Sequence, residues 1–218
     1  MKTLIAIPAM STVPTDFLTS ILALYKPEGT HVAVLQNSLV HSARNQLVWE
    51  AIKAEDDYIL WIDSDMVFAP DMAIRLLKDA EEGRDYVTAL CFARALPTVP
   101  CIAKSLVWSK ADDGIVTHEA EIYEDYPQNR VFEIAASGAA ACLVRTDLYK
   151  RVIEEFRTGP YEPLPQFGED YSFCWRLNQM GIKMYCDSSV KLGHIYQYTI
   201  TENAYLIHRQ REAEVKLP

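Results

Sequence analysis

The chain has 218 residues, of which 50% are hydrophobic and 23% charged. That suffices for one well-cored domain and excludes a disordered, collagen-like or disulfide-scaffold chain. Thirty Asp and Glu against 21 Lys and Arg leave a formal charge of −9. This opposes a broad polyanion-binding face, but not a local basic groove or a site that takes up anions through a metal.

In chain order, Leu4–Ile7 is a short apolar run, as expected of a strand buried on both faces. Phe17, Ile21, Leu24 and Tyr25 recur at helical spacing, and His31–Leu35 reads as a second strand. A helix over Ser42–Ala54 carries Ala43, Leu47, Ala51 and Ala54 on one stripe, and Tyr58–Ile62 is a third strand ending in Asp63-Ser64-Asp65. Pro70 opens a further helix that Gly83 closes, and Tyr86–Phe92 is a fourth strand. Four alternations of strand and helix predict an α/β fold with a mostly parallel, doubly wound sheet. Ligands in such folds sit beyond the carboxyl ends of the strands, where Asp63-Ser64-Asp65 is placed.

The second half is less regular. Leu96–Pro100 and Gly159–Gly168 read as Pro/Gly loops suited to a lid or an acceptor wall, and Asp112-Asp113-Gly114 as a turn. Ala139–Val144 predicts a strand, and Thr146–Phe156 a helix capped by Thr146 or Asp147. Asp170–Met180 predicts a helix ended by Gly181, followed by strands near Ile182–Cys186 and Val190–Leu192. Beyond about Asn203 the chain is charged and helical in pattern. Five Cys without Cys-x-x-Cys spacing read as buried thiols of a reducing compartment. With no signal-peptide pattern and no apolar run long enough for a bilayer, the expectation is a soluble cytoplasmic protein.

Several constellations carry chemistry. On an extended chain Asp63 and Asp65 point to one side, and a divalent cation, Mg²⁺ or Mn²⁺, relieves the repulsion of two close carboxylates. The alternative is a solvated Asp turn, or Asp65 capping the next helix. Glu169-Asp170 at a helix start suits the helix dipole, or supplies a general base at a rigid helix end. His194 follows a strand and is either a structural histidine or a metal ligand. Arg44 at a helix start meets a phosphate or pairs with a surface acid. Ser137-Gly138-Ala139-Ala140 allows close approach of a ligand to the backbone, or only tight packing.

The ordered set Ile7-Pro8, Ala43-Arg44-Asn45, Asp63-Ser64-Asp65, Ser137-Gly138-Ala139-Ala140, Glu169-Asp170 and His194 resembles the glycosyltransferases of the GT-A fold, in particular the family-2-like group, over residues 2–195. The resemblance implies a metal-dependent transfer of a sugar from a nucleotide-sugar to an acceptor hydroxyl, inverting by direct displacement. It implies Asp65 and His194 on Mn²⁺ or Mg²⁺, and Asp63 on the ribose or a metal-bound water. Pro8, Ala9, Arg44, Ser64 and Gly138 would lie along the nucleotide-sugar, with Asp170 as base and Glu169 beside it for the acceptor. Residues 1–92 would be the nucleotide-binding half, 93–195 the acceptor and metal half, and 196–218 a helical tail. Where relatives carry an Asp-rich base-reading segment, this chain has Gln36-Asn37-Ser38; Asn37 can still bond a uracil edge, so a UDP-sugar is favoured and a GDP-sugar stays open.

Rival readings are a retaining transferase of the same fold, a haloacid-dehalogenase-like phosphatase with Asp63 as nucleophile, and a non-catalytic nucleotide-sugar-binding protein. The acceptor is a glycan, a small molecule, a protein or a hydroxymethylated DNA base. For the last, Arg94, Lys104, Lys110, Arg130, Arg209 and Arg211 would need to form one basic edge.

Overall fold

The computed structural model describes residues 1–197 apart from 37, 38 and 96, and positions 201, 202, 205–207 and 209 of the tail. Asn37 and most of the expected tail helix lie outside the described residues. The first half alternates as the periodicity predicts: β1 (Thr3–Ala9), α1 (Thr15–Ala23), β2 (Thr30–Gln36), α2 (Val40–Ala54), β3 (Tyr58–Ile62), the short β4 (Met66–Val67), α3 (Met72–Glu81) and β5 (Tyr86–Leu90). Then come β6 (Ile102–Lys110), β7 (Val116–Ile122), β8 (Val131–Ile134), β9 (Ala136–Ser137), β10 (Ala141–Arg145), α4 (Thr146–Phe156), α5 (Glu169–Gln179), β11 (Met184–Lys191) and β12 (Gly193–His194).

The central sheet has the order β2-β1-β3-β10-β5-β11-β8. β1 pairs parallel with β2 and β3, and β5 with β11. β10 runs antiparallel between β3 and β5, and β8 antiparallel at the edge. The sheet is therefore mostly parallel but not a continuous parallel run. Apolar residues on successive positions of each strand face opposite cores. Leu4, Ala6, Ile59, Trp61, Cys142 and Val144 pack with α2, α4 and α5, while Ile5, Ile7, Leu60, Ile62, Ala141 and Leu143 pack with α1 and α3. Burying each such large aliphatic side chain contributes roughly 1.5–3 kcal/mol, which is why these strands read as continuous apolar runs.

Several local expectations change. Tyr25 is exposed because α1 ends at Ala23, so the helical stripe stops short of it. α4 has no side-chain cap: Arg145 is the N-cap residue, and the Thr146 N–H donates to Asp57 O instead, tying the helix start to the entry of β3. The two late strands merge into β11, whose register shifts after Asp187, where Ser189 donates its N–H and hydroxyl to the Asp187 carboxylate. β6 and β7 form a hairpin joined to β9, in a stretch that the sequence left irregular. Its turn is the Asp112-Asp113-Gly114 segment: Gly114 sits at φ +86°, and Asp113 Oδ1 accepts the Ile115 N–H. Lys104 is paired with Asp125 and Glu121, Arg94 with Asp65, and Arg211 lies outside the described residues. No helix among the described residues is long and apolar enough to cross a membrane.

Candidate active site

The carboxyl ends of β1 and β3 open onto a cleft of about 230 Å³. Pro8, Ala9, Arg44, Asp63, Ser64, Asp65, Glu169 and Asp170 line it together with Met10, Leu35, Val40 and Ala43. Three separate elements supply the polar side chains: the start of α2, the turn after β3, and the start of α5.

Arg44 lies at the base. Only 2% of its side chain is exposed, and its guanidinium lies over the rings of Trp61 and Tyr161 at 5.2 and 5.7 Å. Its Nη2 donates to Asp63 Oδ1 at 2.8 Å and its Nε to Glu169 Oε1 at 3.4 Å, while Nη1 is buried with no acceptor among the described residues. Burial opposes the Arg44 charge, but the Asp63 carboxylate, the Tyr161 hydroxyl and the Glu169 carboxylate outweigh it and hold the group firmly protonated. Tyr161 reaches this position because Asn45 Oδ1 accepts its backbone N–H. Gly159 is required beside it, since a Cβ there would stand 2.5 Å from the Asn45 amide. The 159–168 segment is thus anchored at Tyr161 and Phe167, both buried.

Asp63 and Asp65 do not present their carboxylates together as the strand argument predicted. β3 ends at Ile62, the Asp63 N–H bonds Ala140 O and the Met66 N–H bonds Asp63 O, so the two acids lie in a turn and diverge. Asp63, with 31% of its side chain open, faces Arg44. Burial raises its pKa, opposed by Arg44 and reinforced by Asp65 and Glu169. Asp65 points instead to His194, whose Nε2 is 3.1 Å from Oδ2, and to Arg94, whose Nη1 is 2.8 Å from the same oxygen. The backbone supports this meeting: β12 pairs with β4, and the Ile195 N–H donates to Asp65 O. Asp65 does not cap the next helix; Asp71 occupies that N-cap position.

Asp170 opens α5 facing the cleft. Burial first, and then the neighbouring Glu169 carboxylate, raise its pKa to about 6, against the bond its Oδ1 accepts from the Tyr171 N–H. Gly138 stands beside it: a Cβ on Gly138 would lie 3.5 Å from Asp170 Oδ2. A glycine there leaves the carboxylate open on that side.

The residues present fit a divalent cation at Asp65 and His194. His194 Nδ1 bonds the Phe92 carbonyl at 2.9 Å, which fixes Nδ1 as the protonated nitrogen. In the neutral ring this leaves the Nε2 lone pair facing a carboxylate oxygen, an arrangement that a shared cation relieves. Asp63 does not complete the set, and among the described residues no three His, Cys, Asp or Glu gather as a metal cage. Two protein ligands would leave the ion's other positions to water or a bound ligand. A second groove of about 610 Å³ continues from Ser64 and Asp65 past Arg94 and Gln197.

No family model matches the chain, and no curated protein matches it. Solved structures do. A197 from STIV superposes with a TM-score of 0.62 at 15% identity, over 90% of this chain and 87% of that one. GalNAc-T7, solved with UDP, GalNAc and Mn²⁺, superposes with a TM-score of 0.60 at 10% identity, over 90% of this chain and 43% of that one. The chain therefore spans less than half of the GalNAc-T7 chain. The fold is GT-A-like. Both likenesses support that fold, and the cleft just described lies at its carboxyl-end crevice.

The sequence located eight of the lining residues, and the structure places Gly138 and His194 against two of them. It missed Trp61, Tyr161 and Arg94 as parts of the site, and carried Asn45 only within the Ala43-Arg44-Asn45 set, with no role of its own. Gly159 was the available signal for Tyr161 and Asn45, because a glycine ahead of Pro160 and Tyr161 marks a close approach. Trp61 and Arg94 carried no signal of their own.

Proposed function

We propose that this chain is a metal-dependent glycosyltransferase of the family-2-like group that moves a sugar from a UDP-sugar to an acceptor hydroxyl, inverting the anomeric carbon by direct displacement. The observation that carries the reading is Arg44: a buried cation whose Nη1 has no acceptor among the described residues, in a cleft whose other polar side chains are four carboxylates and Ser64. A nucleotide offers anionic oxygens, the strongest acceptors for such a donor, and hydroxyls for the acids. The likeness to a protein solved with UDP, GalNAc and Mn²⁺ supports the same donor class.

Asp65 and His194 would hold a divalent ion, which when bound would supply Lewis-acid stabilisation of the charge on a leaving diphosphate. The chain's own groups do the rest. Arg44 holds Asp63 and Glu169 in fixed rotamers through the guanidinium, so Asp63 is poised for a ribose hydroxyl and Glu169 for the acceptor. Pro8, Ala9 and Leu35 line the same cleft with apolar surface suited to a base or ribose face. Asp170 takes the proton from the acceptor hydroxyl; a carboxylate with a pKa of about 6 is still ionised at neutral pH and is a stronger base than an ordinary one. Residues 1–92 act as the donor half and 93–195 as the acceptor half. Against a phosphatase with Asp63 as nucleophile stands its 2.8 Å bond to Arg44, which holds the carboxylate to one side.

The test is a panel of UDP- and GDP-sugars with Mn²⁺, read as donor hydrolysis and then as transfer, with product stereochemistry read by NMR. Turnover of a UDP-sugar that EDTA stops, and an Asp65→Asn loss of ~10²- to 10⁴-fold, are expected. Turnover indifferent to both EDTA and Asp65→Asn overturns the metal assignment, and a product of retained configuration overturns direct displacement with Asp170 as base. Binding of the donor without any turnover would make the chain a binding protein instead.

A further inference from the structure

Cys91 follows β5 and Cys101 precedes β6, and the backbone brings them face to face. The Cys101 N–H donates to Cys91 O at 3.0 Å, Phe92 and Pro100 form an antiparallel bridge, and the Ala93 N–H donates to Val99 O at 2.8 Å. This pattern sets Cys91 and Cys101 directly opposite on an antiparallel pair, where Cα atoms lie about 5.5 Å apart. That separation is inside the range of roughly 4.4–6.8 Å that a disulfide bridges. Each thiol shifts the other, the Cys91 pKa upward and the Cys101 pKa downward, as expected of two side chains that face one another. Cys91 is buried and Cys101 partly open, so one thiol meets a reagent and the other waits behind it.

The segment between them touches the site at two points. Arg94 pairs with Asp65, and the Phe92 carbonyl takes the His194 Nδ1–H. We propose that Cys91 and Cys101 form a reversible disulfide that clamps the base of this segment and so fixes Arg94 and Phe92 against the Asp65–His194 pair. The oxidant is a low-molecular-weight disulfide such as oxidised glutathione. The Cys101 thiolate attacks one sulfur of the reagent, whose S–S bond breaks and releases one thiol. The Cys91 thiolate then attacks Cys101 Sγ in the mixed disulfide and expels the second thiol. Two cysteine thiols are oxidised and one reagent disulfide is reduced to two thiols, with no proton or electron left over. The neighbouring Cys91 side chain pulls the Cys101 pKa down, which favours Cys101 as the attacking group. Cys142, Cys174 and Cys186 are buried and without such a partner across a strand pair, so the chemistry is confined to one pair.

The full chain is equilibrated with glutathione buffers of rising oxidised-to-reduced ratio, quenched with acid and mapped by non-reducing peptide mass spectrometry. Hydrogen exchange of the 91–101 peptide is then compared in the two states. A Cys91–Cys101 linked peptide is expected, lighter by two hydrogens than the reduced pair, with exchange of that segment slowed about tenfold. Cys91→Ser, a small change at a buried thiol, is expected to stop at a glutathione adduct on Cys101. A wild-type chain that stops at that adduct, or gives no linked peptide, overturns the pairing. A linked peptide with unchanged exchange overturns the clamp. None of these readouts uses donor, metal or turnover, so the outcome is independent of the transferase reading.

Discussion

Arg44 joins two carboxylates that lie 19 and 125 positions further along the chain, and nothing in its own neighbourhood shares that task. Nη2 holds Asp63 and Nε holds Glu169, while Trp61 and Tyr161 cover the guanidinium. Lysine brings one point charge and no plane, so it can satisfy one acid and stack poorly. Arg44→Lys is expected to lower kcat/KM at least tenfold, and Arg44→Ala to cost roughly 2–3 kcal/mol in urea unfolding. That figure lies at the low side for a broken buried pair because Asp63 is partly open to water. Asp170 makes a second prediction at this scale. As a base it must be ionised, so kcat/KM is expected to rise with pH through about 6 and level off above it. Asp170→Asn is expected to remove both the limb and most of the rate, as a pH profile of transfer would read. A limb that persists in Asp170→Asn would assign the base elsewhere.

At the scale of elements, α3 and β11 meet through two acids, Asp79 and Asp187, both buried. Burial first, and then the Asp187 charge, raise the Asp79 pKa to about 6, with Arg84 pulling the other way. A carboxyl whose folded pKa lies above its unfolded one favours the fold when protonated. That contribution is complete below about pH 4 and is lost as pH rises through about 6. Asp79→Asn supplies the neutral form at every pH. It is expected to raise unfolding free energy by roughly 1–2 kcal/mol at pH 8 and to leave it unchanged near pH 4, as denaturant titrations at the two pH values would show.

Element by element, legibility follows burial. Tyr58–Ile62 and Thr146–Phe156 have the bounds that their apolar patterns predict, because strands covered on both faces and helices with one buried stripe must write that burial into their sequence. β6 and β7 do not, since most of their residues are exposed or half-buried and one alternating face is incomplete. The polar Asp187-Ser188-Ser189 stretch has the pattern of a gap between strands, yet its side chains satisfy the backbone locally and the strand runs through it.

At the scale of the whole molecule, β10 binds the two halves into one sheet. It is hydrogen-bonded to β3 on one side and to β5 on the other, and its Cys142 and Val144 sit in the same core as Trp61 and Tyr86. The Tyr149 hydroxyl closes the connection, accepting from Trp61 Nε1 at 2.8 Å, while its ring stacks on Phe173 of α5. Neither half can lose its structure without exposing the other's core. Unfolding is therefore expected to be a single transition, with tryptophan fluorescence and far-UV circular dichroism superimposed in denaturant. Two separated transitions would show that residues 1–92 and 93–195 are independent units.

The sequence by itself determined the α/β alternation, the doubly covered strands and the positions of the acids, because local periodicity and residue chemistry record burial and charge directly. It also marked the crevice, since a strand that ends in Asp63-Ser64-Asp65 places those acids at its carboxyl end. Only the tertiary structure decided which partner each charge takes. Asp63 and Asp65 are two residues apart yet turn to Arg44 and to His194, and Arg44 meets Glu169 across 125 positions of chain. Pairing energies depend on distance and on exclusion of water, and both are set by strand order, above all by β10 entering between β3 and β5. Order of that kind leaves no periodic trace in the residues that depend on it.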